Sequence, residues 1–298
     1  MVYKHYIKYI IALLLFGSNG IVASRIALNS YEIVFMRTLI GALFLVILYL
    51  FDQKHKMYFF KNKLSFLFLV LSGAAMGSSW LFLYEGYHQI GVSISTLAYY
   101  CGPVIVMVLS PFIFKENITI SKTIGFLFVL LGMIFVNGTQ IFAEGISWGL
   151  VCGIFSALFY AFMMICSKKA HDFTGFKFTG LESTICQLTV STIIVVIFIF
   201  LRQPEGVSIP KDSLFFVFFL GIVNTGIGCY FYFSAIPKLS AQSVSICSYI
   251  EPFSALLFSA IFLQEKLSPL QIIGAAFILC GAAFGELYQN KKKKTALP

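Results

Sequence analysis

Two ionisable residues interrupt otherwise apolar stretches, and they are where chemistry could reside. Glu251 stands about ten residues into an apolar run and immediately before Pro252, while Arg37 stands about six residues into another run, after Glu32. An ionisable group within hydrocarbon is costly and usually faces a bundle interior or water. In that setting Glu251 is a proton carrier, a counter-charge for a cationic ligand, or a structural acid that is paired or protonated. Arg37 is a carboxylate-binding group, or a structural or snorkelling side chain paired with a nearby acid or with lipid headgroups.

Around these two charges the polar and aromatic residues keep helical spacing. Ser93, Thr96, Tyr100 and Pro103 are spaced to share one helix face. A shift of 149 residues turns them into Gln242, Ser245, Tyr249 and Pro252. Each stripe ends at a proline, which frees a backbone carbonyl. Unsatisfied polar groups are expensive in a bilayer, so both stripes should face protein or water. They are either opposite walls of one central cavity or partners in interhelical hydrogen bonds with no ligand. Trp80, Tyr84 and Tyr99 are further candidates for an aromatic wall, whereas Tyr87 reads as an interfacial belt residue. Asn19, within Gly17-Ser18-Asn19-Gly20, and Asn224, near Gly226 and Gly228, either line the cavity or serve close helix packing and interhelical bonding.

The elements that must position these residues come in two copies. Between Tyr100–Phe135 and Tyr249–Phe284, ten of 36 positions are identical without a gap, including Tyr100/Tyr249, Pro103/Pro252, Glu116/Glu265, Gly125/Gly274 and Gly132/Gly281. A spanning helix needs about 20 mostly apolar residues. Ten such segments are predicted, near 7–28, 32–51, 64–84, 93–114, 119–137, 146–166, 178–201, 213–234, 242–263 and 268–288. Five helices per copy is an odd number, so the second copy enters the membrane from the opposite side. The predicted fold is therefore an all-α membrane protein of ten transmembrane helices, built from two inverted five-helix repeats. Residues 1–140 form the first repeat, 141–290 the second, and 291–298 a basic cytoplasmic tail.

The pattern of Pro103, Glu116, Ile124-Gly125 and Gly132, repeated as Glu251-Pro252, Glu265, Ile273-Gly274 and Gly281, resembles the EamA family of the drug/metabolite transporter superfamily. That resemblance covers nearly the whole chain and implies a ten-helix secondary transporter. Its motifs are specific for the superfamily and nearly silent about substrate. Inverted repeats are a known route to alternating access, in which one bundle rocks against the other about a site near the midplane. Glu116 and Glu265, at the ends of the fourth and ninth segments, read as interface caps or gate elements.

Composition agrees. With 59% hydrophobic and 11% charged residues among 298, the chain is far from the roughly quarter-charged soluble average. The formal charge of +9 is a matter of orientation rather than a nucleic-acid partner. With both termini cytoplasmic, sixteen of the 21 basic residues fall on the inner side, as the positive-inside rule requires of a multi-pass inner-membrane protein. Lys291–Lys294 would meet anionic membrane lipid. The seven cysteines lack a Cys-x-x-Cys pair and read as buried free thiols, so neither metal nor cofactor is expected.

Function follows from the same residues. No Gly-x-x-x-x-Gly-Lys-Ser/Thr occurs, so the driving force is a gradient, with proton coupling through Glu251 as the hypothesis. Aromatic rings beside a carboxylate suit an organic cation, Arg37 suits a carboxylate, and the two together suit a zwitterion. The leading expectation is a small organic metabolite, an amino acid or related amphiphile, moved by alternating access. A quaternary amine-like cation is the alternative. A membrane-embedded enzyme or a channel ranks below both, because no intramembrane histidine or paired acids supply catalytic chemistry.

Overall fold

The structure, a computed structural model, describes residues 2–51, 62–90, 92–137, 148–172, 178–202, 207–262, 264 and 268–295. Every regular element among them is helical. The first half contains α1 (Val2–Gly17), α2 (Asn19–Ala23), α3 (Ser30–Phe51), α4 (Lys63–Ile90), α5 (Val92–Tyr99), α6 (Cys101–Phe114) and α7 (Ile120–Asn137). The second contains α8 (Trp148–Lys169), α9 (Gly180–Arg202), α10 (Leu214–Phe219), a π-helical stretch Leu220–Ile227, α11 (Gly228–Ala235), α12 (Ala241–Cys247), α13 (Ile250–Phe262) and α14 (Pro269–Thr295). Glu265, Lys266, the basic loop 52–61, Lys177 and the turn 203–206 lie outside the described residues.

Helix starts follow local sequence. Asn29 and Glu32 cap each other reciprocally, the Asn29 N–H donating to Glu32 Oε2 at 2.8 Å and the Glu32 N–H to Asn29 Oδ1 at 3.0 Å. Thr179 and Glu182 do the same ahead of α9, at 2.7 and 3.2 Å, as do Ser268 and Gln271 ahead of α14, at 2.9 and 3.3 Å. Each pair satisfies N-terminal amides that have no partner inside the helix. Glu182 is buried in this arrangement.

Seven of the helical stretches are long and apolar enough to cross a membrane: Tyr3–Ala23, Ser30–Phe51, Lys63–Ile90, Trp148–Lys169, Gly180–Arg202, Lys211–Lys238 and Ala241–Phe262. The chain is a multi-pass membrane protein. The other three segments expected to span are apolar helices too, but shorter: Cys101–Phe114, Ile120–Phe135 and Pro269–Gly285. Segment 93–114 divides at Tyr100 because Pro103 has no amide donor and its ring crowds the carbonyl one turn back. α14 runs through the lysine cluster to Thr295. Lysine is a good helix former and favourable at a helix C-terminus.

The two copies repeat each other in backbone detail. The helix ahead of the proline breaks at Tyr100 in one and at Ser248–Tyr249 in the other. Lys115 and Gln264, also 149 residues apart, both adopt positive φ, 54° and 55°. That left-handed residue closes the helix it follows. α7 and α14 cross where side chains are absent. A Cβ on Gly125 would come 2.5 Å from the Gly281 carbonyl, and one on Gly132 would come 2.6 Å from that of Gly274. The pairing of early with late residues makes these two helices antiparallel.

The largest core cluster joins Tyr9, Leu13, Met76, Tyr160, Met164, Leu188, Tyr232 and Phe233. Outward, Leu43, Ile47, Phe112, Leu127, Ile197 and Phe215 are exposed, as side chains facing lipid must be. Cys101 and Cys280 share that outer apolar surface, whereas the other five cysteines are buried as the sequence indicated.

Candidate functional site

A cavity of about 510 Å³ opens between α1–α2, α3, α4, α5, α8 and the α12–α13 break. Asn19, Arg37, Trp80, Tyr84, Thr96, Tyr99, Tyr100 and Glu251 all line it. Residues from seven stretches of the sequence converge there because the helices that carry them break or cross at this depth. Asn19 follows the step between α1 and α2, and Glu251 follows the break at Tyr249.

Arg37 is only 5% exposed. Its Nε donates to Thr225 Oγ1 at 3.0 Å, and its Cζ lies 4.7 Å from the Trp80 ring centroid. The neighbouring acid at Glu32 is engaged by the helix start instead. Glu251 is half-buried, and among the described residues no side chain lies within hydrogen-bonding or ion-pairing distance of its carboxylate. Arg37, Tyr87, Tyr99, Tyr100 and Tyr160 are its charged and titratable neighbours in the cavity lining. The two opposite charges therefore share one cavity without neutralising each other by contact.

Aromatic rings fill the space between them. Tyr84 and Tyr87 lie 5.0 Å apart, Tyr99 and Tyr100 5.4 Å, and Tyr99 meets Tyr160 edge-on at 5.3 Å. Tyr87 is a correction to the sequence reading: it is a wall residue, its hydroxyl accepting from Thr96 Oγ1 at 3.1 Å. Phe16, Tyr160, Tyr232 and Phe233 add further rings to the lining. Helical spacing alone does not single out Phe16 and Phe233, because each looks like ordinary core until the opposite helix is in place.

Beneath the cavity lies a hydrogen-bonded floor. Tyr160 Oη is 3.0 Å from Tyr232 Oη and 3.1 Å from Ser248 Oγ, which lies 2.8 Å from Tyr9 Oη. Three candidates are placed outside the lining. Ser245 donates to the Ala241 carbonyl at 2.8 Å, and Tyr249 donates to the Tyr100 carbonyl at 2.9 Å. Asn224 reaches back to α1–α2, its Nδ2 at 2.9 Å from the Leu15 carbonyl, Ser18 Oγ and Asn19 Oδ1. The second-half stripe thus directs these polar groups to protein, while Thr96 and Tyr100 face the cavity. Asn224 acts one step behind the wall, holding Asn19 in it.

A family model described as the EamA-like transporter family matches residues 4–138 and again residues 147–285. The chain belongs to the EamA-like transporter family. Similar proteins include the uncharacterized transporter YxxF of Bacillus subtilis, 25% identical over 93% of this chain and 88% of that one, and the uncharacterized transporter YoaV of the same organism, 23% identical over 87% of each. A solved crystal structure superposes with a TM-score of 0.81 over 95% of this chain and 98% of that chain, at 16% identity, a likeness of fold. This EamA-like protein is accordingly a membrane transporter, and the cavity is the place where its polar residues gather.

Proposed function

We propose that this EamA-like transporter moves a zwitterionic small metabolite, an amino acid or related amphiphile, across the cytoplasmic membrane by alternating access. The observation that carries the reading is the coexistence of Arg37 and Glu251 in one aromatic-lined cavity, each without a contacting counter-charge among the described residues. A carboxylate suits Arg37, an ammonium suits Glu251, and the rings between them accept an apolar body or a cation face. The aromatic lining beside Glu251 also supports the second reading, an organic cation that leaves Arg37 unused.

Alternating access draws support from the repeat. Helices that are equivalent in two copies of the same polarity would run parallel, yet α7 and α14 cross antiparallel. Ten spans in two inverted repeats account for that crossing. The cavity extends to Ser24 and Ser30 at the α2–α3 turn, while the opposite end is closed by the tyrosine floor. With both termini in the cytoplasm, as the lysine distribution favours, this conformation faces outward. Glu251, with no ion-pair partner among the described residues, carries the coupling proton.

The test is counterflow in proteoliposomes with L-phenylalanine, the amine left when it loses its carboxylate, phenethylamine, and the acid left when it loses its amino group, 3-phenylpropionate. Saturable exchange of the zwitterion over both analogues supports the reading. Preference for the amine establishes the cation alternative, and passage without saturation or counterflow would indicate a channel.

A further inference from the structure

The π-helical stretch Leu220–Ile227 puts one residue beside the cavity in an unusual relation to Arg37. Thr225 Oγ1 donates to the carbonyl of Leu220, five residues back, at 2.9 Å. A threonine in an α-helix would commonly bond three or four residues back. Here the widened turn changes its direction. A hydroxyl has one proton to give, and that proton is committed to Leu220. The oxygen therefore presents only lone pairs to Arg37, whose Nε–H meets it at 3.0 Å.

The approach is close because side chains are missing on both helices. A Cβ on Gly221 would come 2.6 Å from Ile40, and one on Gly41 would come 3.0 Å from the Gly221 carbonyl and 3.1 Å from Thr225 Cγ2. α3 and the π-helical stretch are thus held near enough for a short side chain to reach the guanidinium. Trp80 lies against that group, its ring centroid 4.7 Å from Cζ. With Nε engaged, Nη1 and Nη2 are the donors left, and no described residue accepts from them. They form an end-on fork of the kind that holds a carboxylate through two parallel hydrogen bonds.

We propose that Thr225 is a positioning residue for carboxylate recognition: it locks Arg37 through Nε so that the Nη1–Nη2 edge alone meets the ligand. The inference rests on the zwitterion reading above and adds what gives that site its orientation. Thr225 touches Arg37 and not the ligand. It therefore governs how well a carboxylate is distinguished from its absence, not how fast the protein rocks between states.

The experiment measures KM and kcat for transport in proteoliposomes, with L-phenylalanine, L-leucine and L-lysine each paired with the amine it gives on losing CO2. Variants are Thr225→Val, Thr225→Ala, Thr225→Ser and Arg37→Gln, with folding monitored by size-exclusion chromatography. In Thr225→Val the KM of the preferred amino acid should rise about tenfold, the scale of one lost hydrogen bond to a charged group. The KM of its amine and kcat should stay near wild type, and Thr225→Ser should restore the carboxylate preference. Thr225→Ala must give the same loss of preference, and it replaces the valine variant if that one aggregates. An unchanged preference in a folded valine or alanine variant, or a serine variant as impaired as valine, overturns the positioning role. If the wild type shows no carboxylate preference, or Arg37→Gln retains it, the zwitterion reading itself fails and takes this inference with it.

Discussion

The Tyr249 hydroxyl donates to the backbone carbonyl of Tyr100, its own counterpart in the other repeat, at 2.9 Å. The two residues stand at the matching helix breaks, and their rings lie 6.2 Å apart. The bond is not reciprocated, since Tyr100 faces the cavity. The two copies are thus tied at their breaks by one residue, while its twin is left available to a ligand. Duplication supplies the framework, and departures from symmetry supply the site.

Replacing Tyr249 with Phe isolates that tie, because the ring can keep its packing against Tyr100 and Phe126. The variant should be destabilised by about 1–3 kcal/mol, the cost of a buried carbonyl left without its donor. A lower melting temperature in detergent with the ligand preference intact is the expected outcome. An unchanged melting temperature would mean that the Tyr100 carbonyl finds another donor.

The glycine crossing predicts a contrast between two alanine substitutions. Gly125→Ala places a methyl 2.5 Å from the Gly281 carbonyl, which belongs to backbone and cannot swing away, whereas a Cβ on Gly20 meets nothing within 4 Å. Forcing the α7–α14 crossing apart should cost about 1–3 kcal/mol, the usual range for overpacking. Gly20→Ala should be neutral or slightly stabilising in its helix. Thermal melts of the two variants side by side check this, and equal melting temperatures would count against a tight crossing.

On the side away from the cavity, Glu116 joins the halves. Its carboxylate accepts from the Ala241 and Gln242 amides at 2.8 and 3.2 Å and pairs with Lys168 at 3.2 Å, while Lys168 also donates to the Leu239 carbonyl. First-half Glu116 therefore caps second-half α12. Glu116→Gln should lower stability by about 1–3 kcal/mol, because two amides and a lysine lose a charged acceptor. Combined with Lys168→Met, the loss should be less than the sum of the single losses, since both act on one network. Strictly additive melting data would show that the two side chains are independent.

How far the sequence leads differs from residue to residue. The Tyr100–Phe135 repeat is legible because glycine, proline and a capping acid act through backbone geometry, which is local. Asn29-x-x-Glu32 and Thr179-x-x-Glu182 announce their helix starts for the same reason. Arg37, Trp80 and Glu251 draw attention because charge and large rings in apolar runs are unusual. Thr225 does not, since its role depends on a widened turn that Gly41 and Gly221 permit from two different helices. Tyr87 and Tyr160 are equally opaque, because which way a ring faces is decided by the helix opposite. Ser245 and Tyr249 have the spacing of a cavity wall, yet in the second repeat the same face meets protein. Spacing defines a face, and only packing decides what the face meets.

Glu251 offers the sharpest functional test. Its carboxylate faces the cavity with Arg37, Tyr87, Tyr99, Tyr100 and Tyr160 as the charged and titratable neighbours, and none of them contacts it. A carboxyl that carries the coupling proton must bind and release it during each cycle, so uphill transport must vary with pH and with the proton gradient. Glutamine keeps the shape of the side chain and cannot exchange that proton. Glu251→Gln proteoliposomes should therefore lose accumulation against a gradient while retaining counterflow, and the remaining rate should become insensitive to pH. If the variant concentrates its ligand as well as wild type, with the same pH profile, the proton travels by another route. Glu251 would then be a counter-charge, and a loss of preference for the zwitterion over its deaminated acid would identify it as one.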